Sequence, residues 1–257
     1  MTHLATHAIS KNFDGIKAVD GLSLSFEPGK ITGLIGPNGS GKSTLINLLT
    51  GFIPFDSGDA GKTGANGVVM IGEHVKLSKI LPHQIATYGM TRTFQDARLF
   101  EQMPVIDNIL VVLTEKNLWS SLIERRSSAH FAFHMQKAQE VLERMGIWEK
   151  RNELAFNLSY GQRKLLEVAR ALAMNADIYF FDEPFAGMFP EMVKIVSSVI
   201  RELRDQGKTV ILVEHNMELI RELSDHLIVL DSGALLAQGK PEEVLSRKDV
   251  VEAYLGE

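Results

Sequence analysis

The sequence predicts an α/β fold with a mainly parallel core sheet, and three observations carry that prediction. Ile178–Phe181 and Thr209–His215 are short, continuous apolar runs of the kind a strand shows when both its faces are covered. An amphipathic helical pattern, Gln162–Met174, precedes the first of them. A third apolar run, Ile31–Gly36, passes into a glycine-rich loop and then into another helical pattern. Apolar strands alternating with helices are the signature of a parallel sheet packed on both sides.

Taken in order, the chain opens with short strands. Gly21–Phe26 alternates with period two, and Glu27–Lys30 (EPGK) reads as a turn into the buried strand Ile31–Gly36. Ser43–Thr50 is apolar at helical spacing and stops at Gly51, a natural helix terminus. Residues 56–80 are rich in Gly, Ser and Asp and should form hairpins or loops. From about 104 to 157 the character is helical, and Phe131, Met135, Ala138, Leu142 and Met145 mark one apolar face. His226–Gly239 reads as a hairpin turning at Asp231–Gly233.

The 257 residues suffice for one large domain or a core with an inserted subdomain, and 45% hydrophobic content supplies a normal core. A net charge of −5 with no long Lys/Arg run gives no reason to expect a nucleic-acid partner. Cysteine is absent, so there are no disulfides and no thiolate metal sites. The N-terminus lacks signal-peptide character, and no apolar run approaches the roughly 20 residues of a membrane span. A membrane role is therefore expected to run through partners.

The chemistry concentrates in a few short stretches. Gly36-Pro37-Asn38-Gly39-Ser40-Gly41-Lys42-Ser43 matches G-x-x-x-x-G-K-[ST] between a predicted strand and helix. Its glycines let successive N–H groups point at a polyphosphate, and the helix adds its positive end. Lys42 is expected at the β/γ-phosphates and the Ser43 hydroxyl on Mg²⁺. Asp182 and Glu183 end a buried strand, where Asp182 can hold Mg²⁺ and Glu183 can polarise the attacking water. The same Asp-Glu-Pro could simply end a strand and open a helix. His215 ends a neighbouring strand, within reach of a γ-phosphate if it is not a structural histidine. Ser159 and Gln162, in LSYGQ, form an S-x-x-Q capping pattern.

Taken together these stretches resemble the ATPase subunit of an ABC transporter along essentially the whole chain. The glycine loop resembles the family's Walker A motif, IYFFDE its Walker B, Gln95 in TRTFQD its Q-loop glutamine and His215 its switch histidine. LSYGQ is similar to the signature LSGGQ, with Tyr160 in place of a glycine. The resemblance implies a P-loop NTPase fold with an N-terminal antiparallel β-subdomain. On that reading 1–257 is a single domain: 1–95 and 175–257 form the core, and about 96–174 an inserted helical subdomain.

It also implies ATP and Mg²⁺ as ligands, with nucleotide contacts from Phe13, stacking on adenine, Ala18 and the loop from Gly36 through Lys42, Ser43 and Thr44. Glu183, His215 and Gln95 would be catalytic, and Ser43, Gln95 and Asp182 would serve the metal. Ser159, Gly161 and Gln162 would contact the γ-phosphate held by a second ATPase subunit, in a dimer closed head to tail over two ATP molecules.

Gly89–Leu110 and the tail Val250–Glu257 are similar to the branched-chain and neutral amino acid importer group. That implies two transmembrane permease subunits, an extracytoplasmic solute-binding protein, and a peripheral position on the cytoplasmic face of the inner membrane. Import of urea or short amides, lipopolysaccharide export and a soluble non-transport ABC ATPase are the alternatives. Two departures stand out: Phe189 replaces the Asp or Asn usual before Pro190, and the segment 57–80 is longer than usual.

Overall fold

The structure is a computed structural model that describes residues 2–56, 67–73, 75–113 and 128–255. It contains two compact units, one of Met1–Arg92, Asp177–Glu183 and Ile200–Glu257, the other of Thr93–Ala176 and Pro184–Val199.

The first unit begins with β1 (Leu4–His7), β2 (Ile9–Phe13), β3 (Ile16–Leu22) and β4 (Ser25–Phe26), followed by β5 (Lys30–Ile35) and helix α1 (Lys42–Leu49). The alternation in Gly21–Phe26 holds in burial, with Leu22, Leu24 and Phe26 inside. The run is nevertheless two strands: β3 pairs with β2, whereas β4 pairs with β1. A period of two survives a change of sheet, so it does not reveal the break. The hairpin β6 (Val68–Ile71) and β7 (Val75–Leu77) completes a four-stranded antiparallel sheet, β4-β1-β6-β7. Most of the Gly/Ser-rich stretch, 57–66, lies outside the described residues.

The central sheet adds β8 (Met90–Arg92), β9 (Ile178–Asp182), β10 (Thr209–Val213), β11 (His226–Asp231) and β12 (Ala234–Gly239), in the order β12-β11-β5-β10-β9-β8. The pairings among β11, β5, β10, β9 and β8 are parallel, and β12 returns antiparallel to β11. Every residue of β9 and β10 is buried. Ile178, Phe180, Ile211 and Val213 join one core cluster with Leu45, Ile46 and Leu49 of α1 and Leu4, Phe26 and Val69 of the antiparallel sheet. Tyr179 and Phe181 alternate with them and stack, ring centroids 6.0 Å apart. Such two-sided burial is why these runs read as continuously apolar.

The second unit is helical. Its helices α2 (Val105–Leu113), α3 (Ser128–Arg144) and α4 (Tyr160–Ala173) pack on one another. The apolar stripe expected on α3 is only partly covered: Ala138, Leu142 and Met145 are buried, whereas Phe131 is 59% exposed. Periodicity reports an amphipathic face but not how far along the helix its neighbours reach. The helix α5 (Pro190–Asp205) is followed by α6 (Met217–Leu223), α7 (Pro241–Leu245) and α8 (Lys248–Leu255).

Candidate functional site

The register of the central sheet gathers the predicted groups of the first unit. Asp182 lies level with Val213, and Val213 level with Leu34. The chain therefore leaves the sheet at one height at Gly36, at Glu183 and at Glu214–His215. This is the carboxyl edge of a parallel sheet, where ligands collect. The apolar strand ends at Val213, two residues short of the expected His215. Glu214 and His215 thus belong to the loop, which is what frees the imidazole to turn towards its neighbour.

The loop Gly36–Ser43 wraps tightly. Gly36 and Gly41 have φ of 153° and 101°. A Cβ on Gly36 would lie 2.1 Å from the Leu230 carbonyl oxygen, and one on Gly41 would lie 2.3 Å from that of Ala18. Only glycine fits either place, and the second contact sets Ala18 against the loop. Gly233 donates its N–H to the Ser40 carbonyl at 3.0 Å, tying the loop to the β11–β12 turn. Lys42 Nζ is drawn into the curl, 2.6 Å from the Gly36 carbonyl and 2.9 Å from that of Pro37. Gly41 occupies the N-cap of α1 and offers no side-chain acceptor to its first turn, the arrangement in which an anion can meet those N–H groups. Asn38, Gly39 and Ser43 are exposed there, while Pro37 and Thr44 are half-buried.

The two carboxylates after β9 face different surroundings. Asp182 is buried, and its Oδ2 accepts from Arg92 Nη2 at 2.8 Å. Arg92 also donates through Nη1 to Asn47 Oδ1 at 2.6 Å and to Thr50 Oγ1 at 3.1 Å. Glu183 takes a left-handed backbone conformation, φ 49°, while its N–H donates to the Val213 carbonyl. That turn carries its carboxylate to 3.1 Å from His215 Nε2. Phe13 stands at the exposed end of the β2–β3 hairpin, beside Ile16, with Lys11 Nζ 5.4 Å from its ring centroid.

Arg92 escaped the sequence reading. Its only sequence signal is a lone cation beside a glutamine motif, and its partner is 90 positions away.

Gln95 and the LSYGQ stretch belong to the second unit. Ser159 caps α4: its Oγ accepts from the Gln162 N–H at 3.3 Å, and Gln162 Oε1 accepts from the Ser159 N–H at 3.0 Å. The capping box is therefore complete. Ser159 is exposed and its hydroxyl still has a proton to donate. Gly161 is buried, since a Cβ there would meet Met192 Sδ at 2.8 Å. Tyr160 lays its ring against Gly187, where a Cβ would come within 2.6 Å of it. Phe189 is 68% exposed, and its carbonyl accepts from the Met192 and Val193 N–H groups at the start of α5.

On α4, Lys164 and Glu167 are both buried beside Phe94, the residue preceding Gln95. Burial raises the Glu167 carboxyl above the usual carboxylate range, against the opposing pull of the Phe94 N–H and the Lys164 cation.

A glycine loop entering a helix and an acidic strand end, both at the carboxyl edge of a parallel sheet, define a phosphate-loop nucleotide-binding protein. The comparisons narrow the class. The ABC transporter family profile matches residues 19–186, and that of the branched-chain amino acid ATP-binding cassette transporter matches residues 234–257. The chain is 38% identical to the high-affinity branched-chain amino acid transport ATP-binding protein LivG of Salmonella typhimurium, over 99% of this chain and 98% of that one. It is 36% identical to BraF of Pseudomonas aeruginosa, described in the same words, over 99% and 98%. A crystal structure of the ADP conformation of an ATP-binding cassette superposes with a TM-score of 0.81 at 35% identity, covering both chains fully. The chain belongs to the ABC transporter family, as an ATP-binding subunit.

Proposed function

We propose that this chain is the ATP-hydrolysing subunit of an importer for branched-chain, hydrophobic or neutral amino acids. The observation that carries the ATPase reading is the Glu183–His215 contact at the sheet edge from which the Lys42 loop also departs. Loop N–H groups and Lys42 bind the phosphates of ATP, while Phe13 offers its exposed ring to adenine and Ala18 flanks the loop. Glu183 takes the proton of the attacking water, with His215 holding that carboxylate and sensing the γ-phosphate. Ser43 and Asp182 would provide the hard oxygen donors that suit Mg²⁺, and Gln95, by the family resemblance, would add a further one. Among the described residues no cluster of three or more metal-ligating carboxylates or imidazoles exists. When bound, Mg²⁺ neutralises charge on the β- and γ-phosphates.

The exposed Ser159, with Gly161 and Gln162, meets the γ-phosphate on a second ATPase subunit, identical or related. ATP then favours the closed, head-to-tail dimer, and hydrolysis releases it. Two permease subunits and an extracytoplasmic solute-binding protein complete the machine, with this subunit peripheral on the cytoplasmic face. No helix among the described residues is long and apolar enough to cross a membrane. The substrate class rests on the full-length relatives and on the match at 234–257.

The test is ATP turnover by the purified complex, with its binding protein loaded in turn with leucine, alanine, urea or acetamide. Stimulation by the amino acids supports the proposal. Stimulation by urea or the amide alone would reassign the substrate, and co-purification with envelope-export components would overturn import.

A further inference from the structure

The backbone beside Gln95 is held at both of its polar groups by side chains of α4. The Phe94 N–H donates to Glu167 Oε1 at 2.9 Å, and the Phe94 carbonyl accepts from Lys164 Nζ at 2.8 Å. That carbonyl belongs to the peptide whose nitrogen is that of Gln95, so the ammonium fixes the peptide plane leading into the glutamine. One turn further along α4, Arg170 donates Nη1 to the Arg98 carbonyl and lies over the Phe100 ring. Positions 164, 167 and 170 share one helix face and line the segment 94–100.

Lys164 is 1% exposed and Glu167 5%, with Nζ and Oε2 3.9 Å apart. Burying an ion pair is costly, and apolar residues of similar volume would pack a loop on a helix as well or better. Charge-assisted hydrogen bonds to both faces of one residue do something packing cannot: they fix its orientation. The same helix starts at the Ser159 capping box, five residues before Lys164.

We propose that Lys164 and Glu167 are positioning residues that tie the Gln95 segment to the helix bearing Ser159, so that displacement of one moves the other. This rests on the reading of Gln95 as meeting a subunit's own nucleotide and Ser159 as meeting its partner's. The clamp then links occupancy of one ATP site to the posture of the serine that completes the other.

The test uses the full chain carrying Glu183→Gln, where ATP should hold the dimer. Adding Lys164→Met is expected to leave the nucleotide affinity of the dilute monomer within about twofold. The ATP concentration needed for dimerisation should rise about tenfold or more, as followed by sedimentation. Amide exchange at 93–98 should accelerate, and Lys164→Arg should restore both measurements. A Lys164→Met protein that melts lower yet dimerises at the parent's ATP concentration would overturn the coupling. Should that variant not fold, Glu167→Gln decides on the same criteria, with a rise of about threefold expected and an unchanged requirement refuting the proposal. A parent that stays monomeric with ATP would refute the head-to-tail reading itself, and the coupling with it.

Discussion

Replacing Arg92 by methionine should destabilise the protein more than any surface substitution, and the size of the loss follows from the geometry. The Arg92 and Asp182 side chains are 5% and 8% exposed, and their 2.8 Å contact is a direct ion pair. Methionine keeps the length of the stem and its packing near Phe52, over whose ring the guanidinium lies. It removes the cation in direct contact with a carboxylate that is itself nearly buried. Breaking one side of a buried pair costs about 3–5 kcal/mol. In a chain of this size each kcal/mol lowers the melting temperature by roughly 2–4 °C, so a fall of about 6–20 °C is expected.

The diagnostic comparison is the double variant Arg92→Met, Asp182→Leu, which removes both charges. It should recover at least about 2 kcal/mol of the summed single losses in urea unfolding, because the carboxylate that loses its cation is removed with it. Strictly additive losses, or an Arg92→Met protein within about 1 kcal/mol of the parent, would refute the argument that Asp182 depends on this cation.

Glu183→Gln should retain ATP binding while turnover drops by about 10²–10⁴, the range for loss of a general base; unchanged phosphate release would remove Glu183 from that role. Lys42→Ala should weaken Mg-ATP binding about tenfold or more in titration calorimetry, since a charged donor to the phosphates is lost. Ser159→Ala should lower turnover and reduce stability by about 0.5–2 kcal/mol through the lost cap, with nucleotide affinity of the dilute monomer unchanged; a large affinity loss there would mean that the serine reads its own subunit's nucleotide. Phe189→Asn should stabilise the chain by about 1 kcal/mol, because the carbonyl pattern at the start of α5 makes 189 the N-cap position and phenylalanine cannot cap; an unchanged or lower melting temperature counts against it.

What was legible in the sequence was whatever a local pattern encodes. Two-sided burial wrote β9 and β10 as apolar runs, and the close approaches at Gly36 and Gly41 demanded glycine. The S-x-x-Q cap of α4 is built from residues three apart, and it formed as spaced. What was not legible depends on partners distant along the chain. Arg92 finds Asp182 only because β8 lies beside β9, and the Phe94 clamp requires α4 to lie along a segment 70 residues earlier. Phe131 erred the other way: its spacing fits a covered face, but among the described side chains of α3 Ala138 is the first that is buried.

The end of β9 shows how one dipeptide supplies two different carboxylates. Asp182 still belongs to the strand, so its side chain follows the pleat inward and meets Arg92. One residue later the backbone enters the left-handed region, which is unfavourable for glutamate by about 1–2 kcal/mol. The hydrogen bond from its N–H to Val213 helps hold that conformation. A conventional extended residue would alternate to the opposite face of the sheet; this turn instead brings the carboxylate beside His215. On the roles proposed above, a metal ligand at Asp182 would benefit from being held still, whereas a base at Glu183 would have to reach water and give its proton up again. The strain at residue 183 thus separates a fixed carboxylate from a reachable one without separating them in the chain.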